Sequence, residues 1–495
     1  MKRILFLFFG LCSYSTLLFS QSYSPPLRIE IETPMGEFPF QLMPMKQHGV
    51  ILFYETGIVE NKQVKWSVVW FDTNLNKITT SDFFIDKGMI IEAFNGDEND
   101  FYICMQSKSH RRNILYNTVF VHYNLIEKKI KVYSFNLRDR EEVQSMFLFN
   151  NTVLFTTLYN KQEEVLLFDL QRLSVKPFYT ENNRTYSLQF VTFDSITHSF
   201  WIGSLIENQP HSVLVLNQLD TNGSSYYQQE IAFDQQYRLN YCKWVVTDSG
   251  KALLLASYVH ANEINSKTVS NINTGIVSMR FSKEAISIPT YYNFLYLTNE
   301  TQLRSNKQDV SLNLQLIVNN VAHNDSLYIF IGEVYYPEYR QEYAAGYGMY
   351  AYSAAPTTVF AGYRYQIAYV LVFNKNGNLV WNTQFQHRDI LVKSLRNILH
   401  AYIDDENNVL LYYGLGSNIS STIINDKTVI QSLDKIPVEL LAPGEQIINN
   451  YTTFCKHWYA DYFIYYGYQT ILSPKSNKRQ KRKRDVLFIN KLVYK

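Results

Sequence analysis

Glycine and proline are scarce, 19 and 13 in 495 residues, about half the usual share. That excludes collagen-like and proline-rich architectures. Charge of one sign is lacking too. The 46 Lys and Arg stand against 44 Asp and Glu, and Lys2 and Arg3 fall in an N-terminal segment, 1–20, that holds no acid. The remainder is neutral, 44 against 44. A general nucleic-acid binder needs a basic surface, so that class is excluded. Hydrophobic residues make up 46% and charged residues 18%, which fits a globular chain and not a disordered one.

Long apolar runs are missing beyond the N-terminus. No later stretch has the roughly 20 uninterrupted apolar residues of a spanning helix, so no transmembrane segment is expected in the mature chain. The N-terminus itself reads as a secretory signal: Lys2 and Arg3, an apolar stretch from Ile4 to Phe19, then small Ser20 and polar Gln21. Ser13, Ser15 and Thr16 interrupt the stretch, which argues against an anchor. Leu11 before Cys12 departs from a lipobox. The expectation is an exported, periplasmic protein cleaved near Ser20–Gln21. Three cysteines remain, Cys104, Cys242 and Cys455. An odd count leaves at least one unpaired, and their apolar or aromatic settings (FYICM, NYCKW, TFCKHW) fit buried thiols.

Catalytic and cofactor motifs are absent as well. There is no H-E-x-x-H, G-x-S-x-G, Walker A or post-strand G-x-G-x-x-G. The ten histidines are scattered without ligand spacing, and no Cys/His cluster points to a metal. The sequence therefore assigns no catalytic residue, cofactor or metal.

What is present is strand. Runs of five to nine residues rich in Val, Ile, Tyr, Phe and Thr fill the chain. The best helical candidate is 389–402. One apolar strand recurs: ILFYET at 51, FYICMQ at 101, VLFTTLY at 153, FWIGSL at 200, ALLLASY at 252, LYIFIGE at 327, VLLYYGL at 409 and YFIYYGY at 462. The spacing is near 50 with two insertions, a propeller-type period. Polar turns precede these strands, among them Asn95–Asp100 and Asp404–Asn408. They lack the D-x-D-x-D-G order of a calcium loop and read as tight turns. A second strand follows, such as VVWFDTNL (68–75) or TVFVHYNL (118–125), and then a more exposed one, such as KKIKVYSF (128–135).

These units resemble β-propeller blades across about 465 residues, without Trp-Asp, kelch or tryptophan-docking signatures. The turn in FNKNGNLVWNTQF (373–385) is similar to blades of the pyrroloquinoline-quinone and beta-assembly propellers. The Asn/Tyr/Phe/Ile/Lys-rich composition and the style of the signal resemble exported proteins of Bacteroidota. The fold class implied is an all-β propeller of about eight four-stranded blades, with seven as the alternative. The eighth unit ends without an outer strand, and LRIEIET (27–33) has the alternation to complete it and close the ring.

Propeller geometry puts the loops between second and third strands on one face. Three are long: 259–275, 334–366 and 473–484. Long loops on a rigid scaffold usually carry binding. The 334–366 insertion holds Tyr335, Tyr336, Tyr339, Tyr343, Tyr347, Tyr350 and Tyr352, then Tyr363 and Tyr365. Tyrosine gives large contact area at little entropic cost, so these rings serve either a partner or self-packing. The 473–484 loop packs Lys475, Lys478, Arg479, Lys481, Arg482, Lys483 and Arg484 into ten residues. That run is either a solvated loop or a contact for anionic lipid, lipopolysaccharide phosphate or an acidic partner.

The reading that follows is a non-catalytic binding or scaffold subunit of the cell envelope. It would dock an outer-membrane protein assembly, such as transport or secretion machinery. The alternative is a glycan- or polymer-acting hydrolase or lyase with converging polar residues at the axial mouth.

Overall fold

The computed structural model describes residues 27–33, 38–96, 99–107, 117–149, 152–178, 186–206, 211–220, 223–263, 272–297, 314–342, 357–474 and 483–493. The expected signal, 1–20, lies outside them. The chain is a β-propeller: the strands of the described residues sort into eight antiparallel sheets, seven of four strands and one of six.

From the axis outward, the first sheet runs Phe40–Pro44, Val50–Glu60, Gln63–Phe71, Lys77–Asp86. The second is Met89–Gly96, Asp100–Ser107, Thr118–Asn124, Lys129–Phe135, and the third Glu142–Phe149, Thr152–Tyr159, Gln162–Asp169, Ser174–Phe178. The fourth is Tyr186–Asp194, Ser199–Ile206, Val213–Leu219, Ser225–Ala232, and the fifth Tyr237–Asp248, Lys251–His260, Gly275–Ser282, Thr290–Asn293. The sixth has a broken innermost strand, Leu314–Val318 and Ala322–His323, followed by Leu327–Glu342, Thr357–Asn374 and Leu379–Val392. The seventh is His400–Ile403, Val409–Leu415, Asn418–Asn425, Thr428–Pro437, and the eighth Gln446–Tyr459, Tyr462–Leu472, Lys483–Val493 and, from the N-terminus, Leu27–Thr33.

The recurring apolar strand is the second strand of each sheet. Its side chains alternate between two neighbouring sheets, so both faces are buried. Ile51 and Phe53 pack toward the second sheet, whereas Val50 and Leu52 pack toward the eighth. Leu254 and Ala256 face the fourth sheet, and Leu253 and Leu255 face the sixth. A strand buried on both faces reads as a continuous apolar run. The outer strands show the opposite habit: Ser225–Ala232 is exposed at five of its eight residues, while Ser199–Ile206 and Val213–Leu219 are buried throughout.

Each pair of neighbouring sheets shares one apolar cluster. The cluster of Leu42, Leu52, Trp458, Ile464 and Leu487 joins the eighth sheet to the first. The ring is therefore closed by packing, and also by pairing. Leu27–Thr33 lies antiparallel to Lys483–Val493, with Leu27 opposite Lys491 and Thr33 opposite Asp485. Closure removes an open edge that invites aggregation.

The acids of these turns are engaged within the protein, Asp404 by its own turn's backbone and Asp100 by side chains of a neighbouring strand. Asp404 Oδ1 accepts the N–H of Glu406 at 3.0 Å and of Asn408 at 2.8 Å. Asp100 Oδ1 accepts from Asn124 at 2.8 Å and meets His122 Nε2 at 2.6 Å. Cys104, Cys242 and Cys455 are free and buried, and burial raises all three thiols above their usual pKa.

The helix expected over 389–402 does not form. Leu379–Val392 is strand, 393–399 is irregular, and His400–Ile403 is strand. Side chains from elsewhere take the backbone groups a helix would use. Buried Glu333 accepts the N–H of Ile398 at 2.9 Å and of Leu399 at 3.0 Å, and the Tyr365 hydroxyl donates to the Arg396 carbonyl and accepts its N–H. The four-residue turn Phe294–Leu297 is the single α-helix among the described residues. No helix there is long and apolar enough to cross a membrane.

Candidate functional site

Two features stand out from the ring: an arm on the sixth sheet and a cavity beside the axis.

The described parts of the 334–366 insertion, 334–342 and 357–366, are strand. Leu327–Glu342 and Thr357–Asn374 continue past the blade as a paired ribbon, with Tyr335 opposite Tyr365 and Glu342 opposite Thr357. Leu379–Val392 follows as far as Val392 opposite Tyr363. The tyrosines divide by position. Tyr335 and Tyr365 are buried at the root, in the cluster between sheets six and seven. Farther out, Tyr336 is 38% exposed, Tyr339 59%, Val359 40% and Phe360 42%. Successive edge-to-face contacts tie tip to root: Tyr339 to Phe360 at 5.7 Å, Phe360 to Tyr363 at 5.1 Å and Tyr363 to Tyr335 at 5.6 Å. Tyr343, Tyr347, Tyr350 and Tyr352 lie outside the described residues.

Charge borders this apolar patch. The Arg364 guanidinium is ion-paired with Glu338, and Arg340 Nε stands 3.7 Å from the other carboxylate oxygen. The hydrogen bond from Arg364 holds the Glu338 carboxyl below its ordinary range. A surface concavity of about 380 Å³ opens between Arg340, Val359, Phe360, Leu391 and Lys393.

Of the basic run, Lys475, Lys478, Arg479, Lys481 and Arg482 lie outside the described residues. Lys483 begins the third strand of the eighth sheet and is exposed. Arg484 is committed inside the protein: it pairs with Glu30 of the closing strand and, at 2.7 Å, with Glu445.

The insertion in the fifth sheet turns toward the axis. Ile272–Asn273 pairs with the innermost strand of the sixth sheet, Ile272 opposite Gln315. Asn240 pins it by donating to the Ile272 carbonyl at 2.7 Å and to Asn273 Oδ1 at 2.9 Å.

A cavity of about 720 Å³ lies against the innermost strands of sheets three to six. Its wall carries Gln144, Ser145, Thr156, Gln189, Lys243 and Asn320 among apolar neighbours such as Phe147 and Val191. It extends to Ser195, Ile196 and His323, near turns between first and second strands. Those turns lie on the face opposite the long insertions. Glu163 is the one carboxylate in this lining, and it is exposed. The arrangement offers amides, hydroxyls and an ammonium in place of paired carboxylates.

Lys243 is the charged group the innermost strands place in that wall. Its Nζ donates to Asn320 Oδ1 at 3.2 Å. Burial pushes the ammonium below its ordinary pKa. Two more cations approach the axis. Lys456 belongs to the eighth sheet, yet its Nζ stands 5.1 Å from the ring of Phe94 in the second. Arg396, in the connection between sheets six and seven, lies 5.3 Å from Phe454 of the eighth. Both contacts skip a sheet, which is possible only near the axis. Burial pushes Lys456 down to about 8. His400 is pushed down to about 4, by burial first and then by Lys456 and Arg396. No metal-holding group of three His, Cys, Asp or Glu occurs among the described residues.

Sequence patterning alone does not single out these lysines. Lys243 and Lys456 sit inside runs noted for their cysteines, NYCKW and TFCKHW. A lysine flanked by Cys and an aromatic or His within an innermost strand was the available signal.

No protein-family model matches the chain, and no curated protein matches it. Solved structures do. A prolyl endopeptidase is 12% identical with a TM-score of 0.40, over 86% of this chain and 53% of that one. The tricorn protease is 11% identical with a TM-score of 0.37, over 84% of this chain and 36% of that one. The chain thus spans about half the length of the first and about a third of the second. The β-propeller domain of the Trilobed protease from Pyrococcus furiosus is 8% identical with a TM-score of 0.36, over 80% of this chain and 97% of that one.

Proposed function

We propose that the protein is a non-catalytic binding subunit of the bacterial cell envelope, exported to the periplasm, and that its sixth-sheet arm docks a protein assembly of the outer membrane. The observation that carries this reading is the division of the arm into a locked root and an exposed tip. Tyr335 and Tyr365 fix the root in the core, while Tyr336, Tyr339, Val359 and Phe360 stand in solvent on the same paired strands. Interfaces have this anatomy: aromatic anchors at the centre, charge at the rim and a backbone already ordered before binding. Glu338, Arg340 and Arg364 supply the rim. The basic run up to Lys483, without the committed Arg484, would steer the same face toward anionic lipid or lipopolysaccharide phosphate.

The test is affinity purification of the tagged full chain from detergent-solubilised native envelopes. A stoichiometric outer-membrane partner is expected, and it should disappear in the double variant Tyr339→Asp/Phe360→Asp with melting unchanged. A monomeric chain recovered alone would overturn the proposal.

A further inference from the structure

We propose that the axial cavity binds a small hydroxylated organic acid, with Lys243 anchoring its carboxylate. This site is separate from the arm and does not depend on the arm's role.

The argument begins with an unbalanced charge. Lys243 is half-buried, and its one hydrogen-bond partner, Asn320 Oδ1, is neutral. No carboxylate among the described residues forms an ion pair with it. An ammonium that loses part of its hydration without gaining a counter-ion is less stable than one in water, and a fold that keeps one facing a cavity gains when an anion enters. Lys456 and Arg396 deepen the imbalance. Each approaches the axis against an aromatic ring, and neither forms an ion pair among the described residues. Three cations thus approach the axis of a chain whose mature form is balanced in charge, and low-dielectric walls focus the field of charges so placed.

Size and lining narrow the ligand. A volume of about 720 Å³ falls within the range of small-molecule sites. The wall offers one compact point charge, and around it the Ser145–Thr156 hydroxyl pair at 2.7 Å, Gln144, Gln189 and Asn320. Phosphate sites are commonly built from arginine forks or nests of backbone N–H groups. A lone ammonium among amides and hydroxyls matches instead a carboxylate joined to hydroxyl groups, as in a hydroxy acid or a uronic acid. Glu163, the other charged group of the wall, sits exposed at the insertion-side end of its strand, where water screens it.

The experiment is calorimetric titration and thermal melting of the mature chain at low ionic strength with citrate, galacturonate, galactose and inorganic phosphate. At least one of the two acids should bind and raise the melting temperature. Galactose, the neutral counterpart of galacturonate, should not. Lys243→Met should weaken acid binding by at least about tenfold, as loss of a charge-assisted contact does. Asn320→Asp is the second variant: it supplies the missing carboxylate from within, so it should raise the melting temperature without ligand and abolish the response to acid. The proposal is overturned if neither acid binds, if binding survives both substitutions, or if phosphate binds more tightly than both acids.

Discussion

Arg28 and Asn490 are 462 residues apart in the chain, yet the guanidinium donates to the amide oxygen at 2.8 Å. The same guanidinium donates to Gln469 Oε1 at 3.0 Å and to Glu30 at 2.6 Å, and lies 4.6 Å from the ring of Phe488. Burial pushes its pKa down and Glu30 pulls it back. Glu30 in turn holds Arg484, which also holds Glu445. The closing strand is thus joined to the eighth sheet by side chains as well as by its ladder. Removing Arg28 leaves the side-chain oxygens of Asn490 and Gln469 without this donor and Glu30 with Arg484 alone, at a cost of roughly 1–3 kcal/mol. Arg28→Met should lower stability by that amount in urea unfolding. The double variant Arg28→Met/Glu30→Leu should recover part of it. A loss below about 1 kcal/mol, the level of a surface pair, would show that the ladder alone closes the ring.

Gly203 tests the packing between sheets. A Cβ at this position would lie 2.1 Å from the ring of Phe190 in the neighbouring strand. Phe190 cannot swing away freely, because it stacks on Trp244 of the fifth sheet at 5.5 Å and 9°. Overpacking of this kind costs about 1–3 kcal/mol. Gly203→Ala should lose that much by thermal melting, and Gly203→Ala/Phe190→Leu should regain a measurable part. Equal losses in the single and double variants would place the strain elsewhere.

Lys456 makes stability depend on pH in a defined direction. Its folded pKa is pushed down to about 8 by burial, from an ordinary 10.5. Between those values the unfolded chain binds more protons, so this residue makes stability rise as pH rises. Below about 8 both states are protonated and the full cost of the buried ammonium is present. Lys456→Met should therefore be more stable than the parent at pH 7, by roughly 1–3 kcal/mol. The gap should close as the pH approaches 10. A constant gap between pH 7 and 10 in paired urea titrations would refute the assignment.

The ring was legible where both faces of a strand are buried. ILFYET, ALLLASY and YFIYYGY announce the second strands because side chains of both parities meet a neighbouring sheet. The innermost strands were not legible. Register shifts interrupt them between Ile91 and Ala93, Val143 and Ser145, Leu188 and Phe190, and Leu239 and Cys242. Each bulge breaks the two-residue period that sequence patterning relies on. Asn418–Asn425 escaped for another reason: five of its eight residues are Asn, Ser or Thr, and its place is set by pairing with Val409–Leu415. Lys243 lies in one of the bulged strands, and Lys456 in Gln446–Tyr459, which register shifts interrupt as well. The axial charge was hidden because it becomes visible only once distant strands are brought to one axis. The arm was half legible: the tyrosines could be counted, but which of them are core depends on where the ribbon leaves the blade.

That division yields the last prediction. Tyr335 is 5% exposed and packs between sheets six and seven, whereas Tyr339, four residues on, is 59% exposed. Truncating a buried aromatic costs about 3–5 kcal/mol, from lost transfer energy and the cavity left behind. A solvent-exposed ring away from such features changes stability by about 0.5 kcal/mol or less. Tyr335→Ala should therefore unfold at distinctly lower urea. Tyr339→Ala and Phe360→Ala should stay close to the parent, despite their mutual ring contact at 5.7 Å. If Tyr339→Ala costs as much as Tyr335→Ala, the tip is part of the protein's own core. The exposed aromatics would then be a packing element, and the docking role proposed for the arm would fall with them.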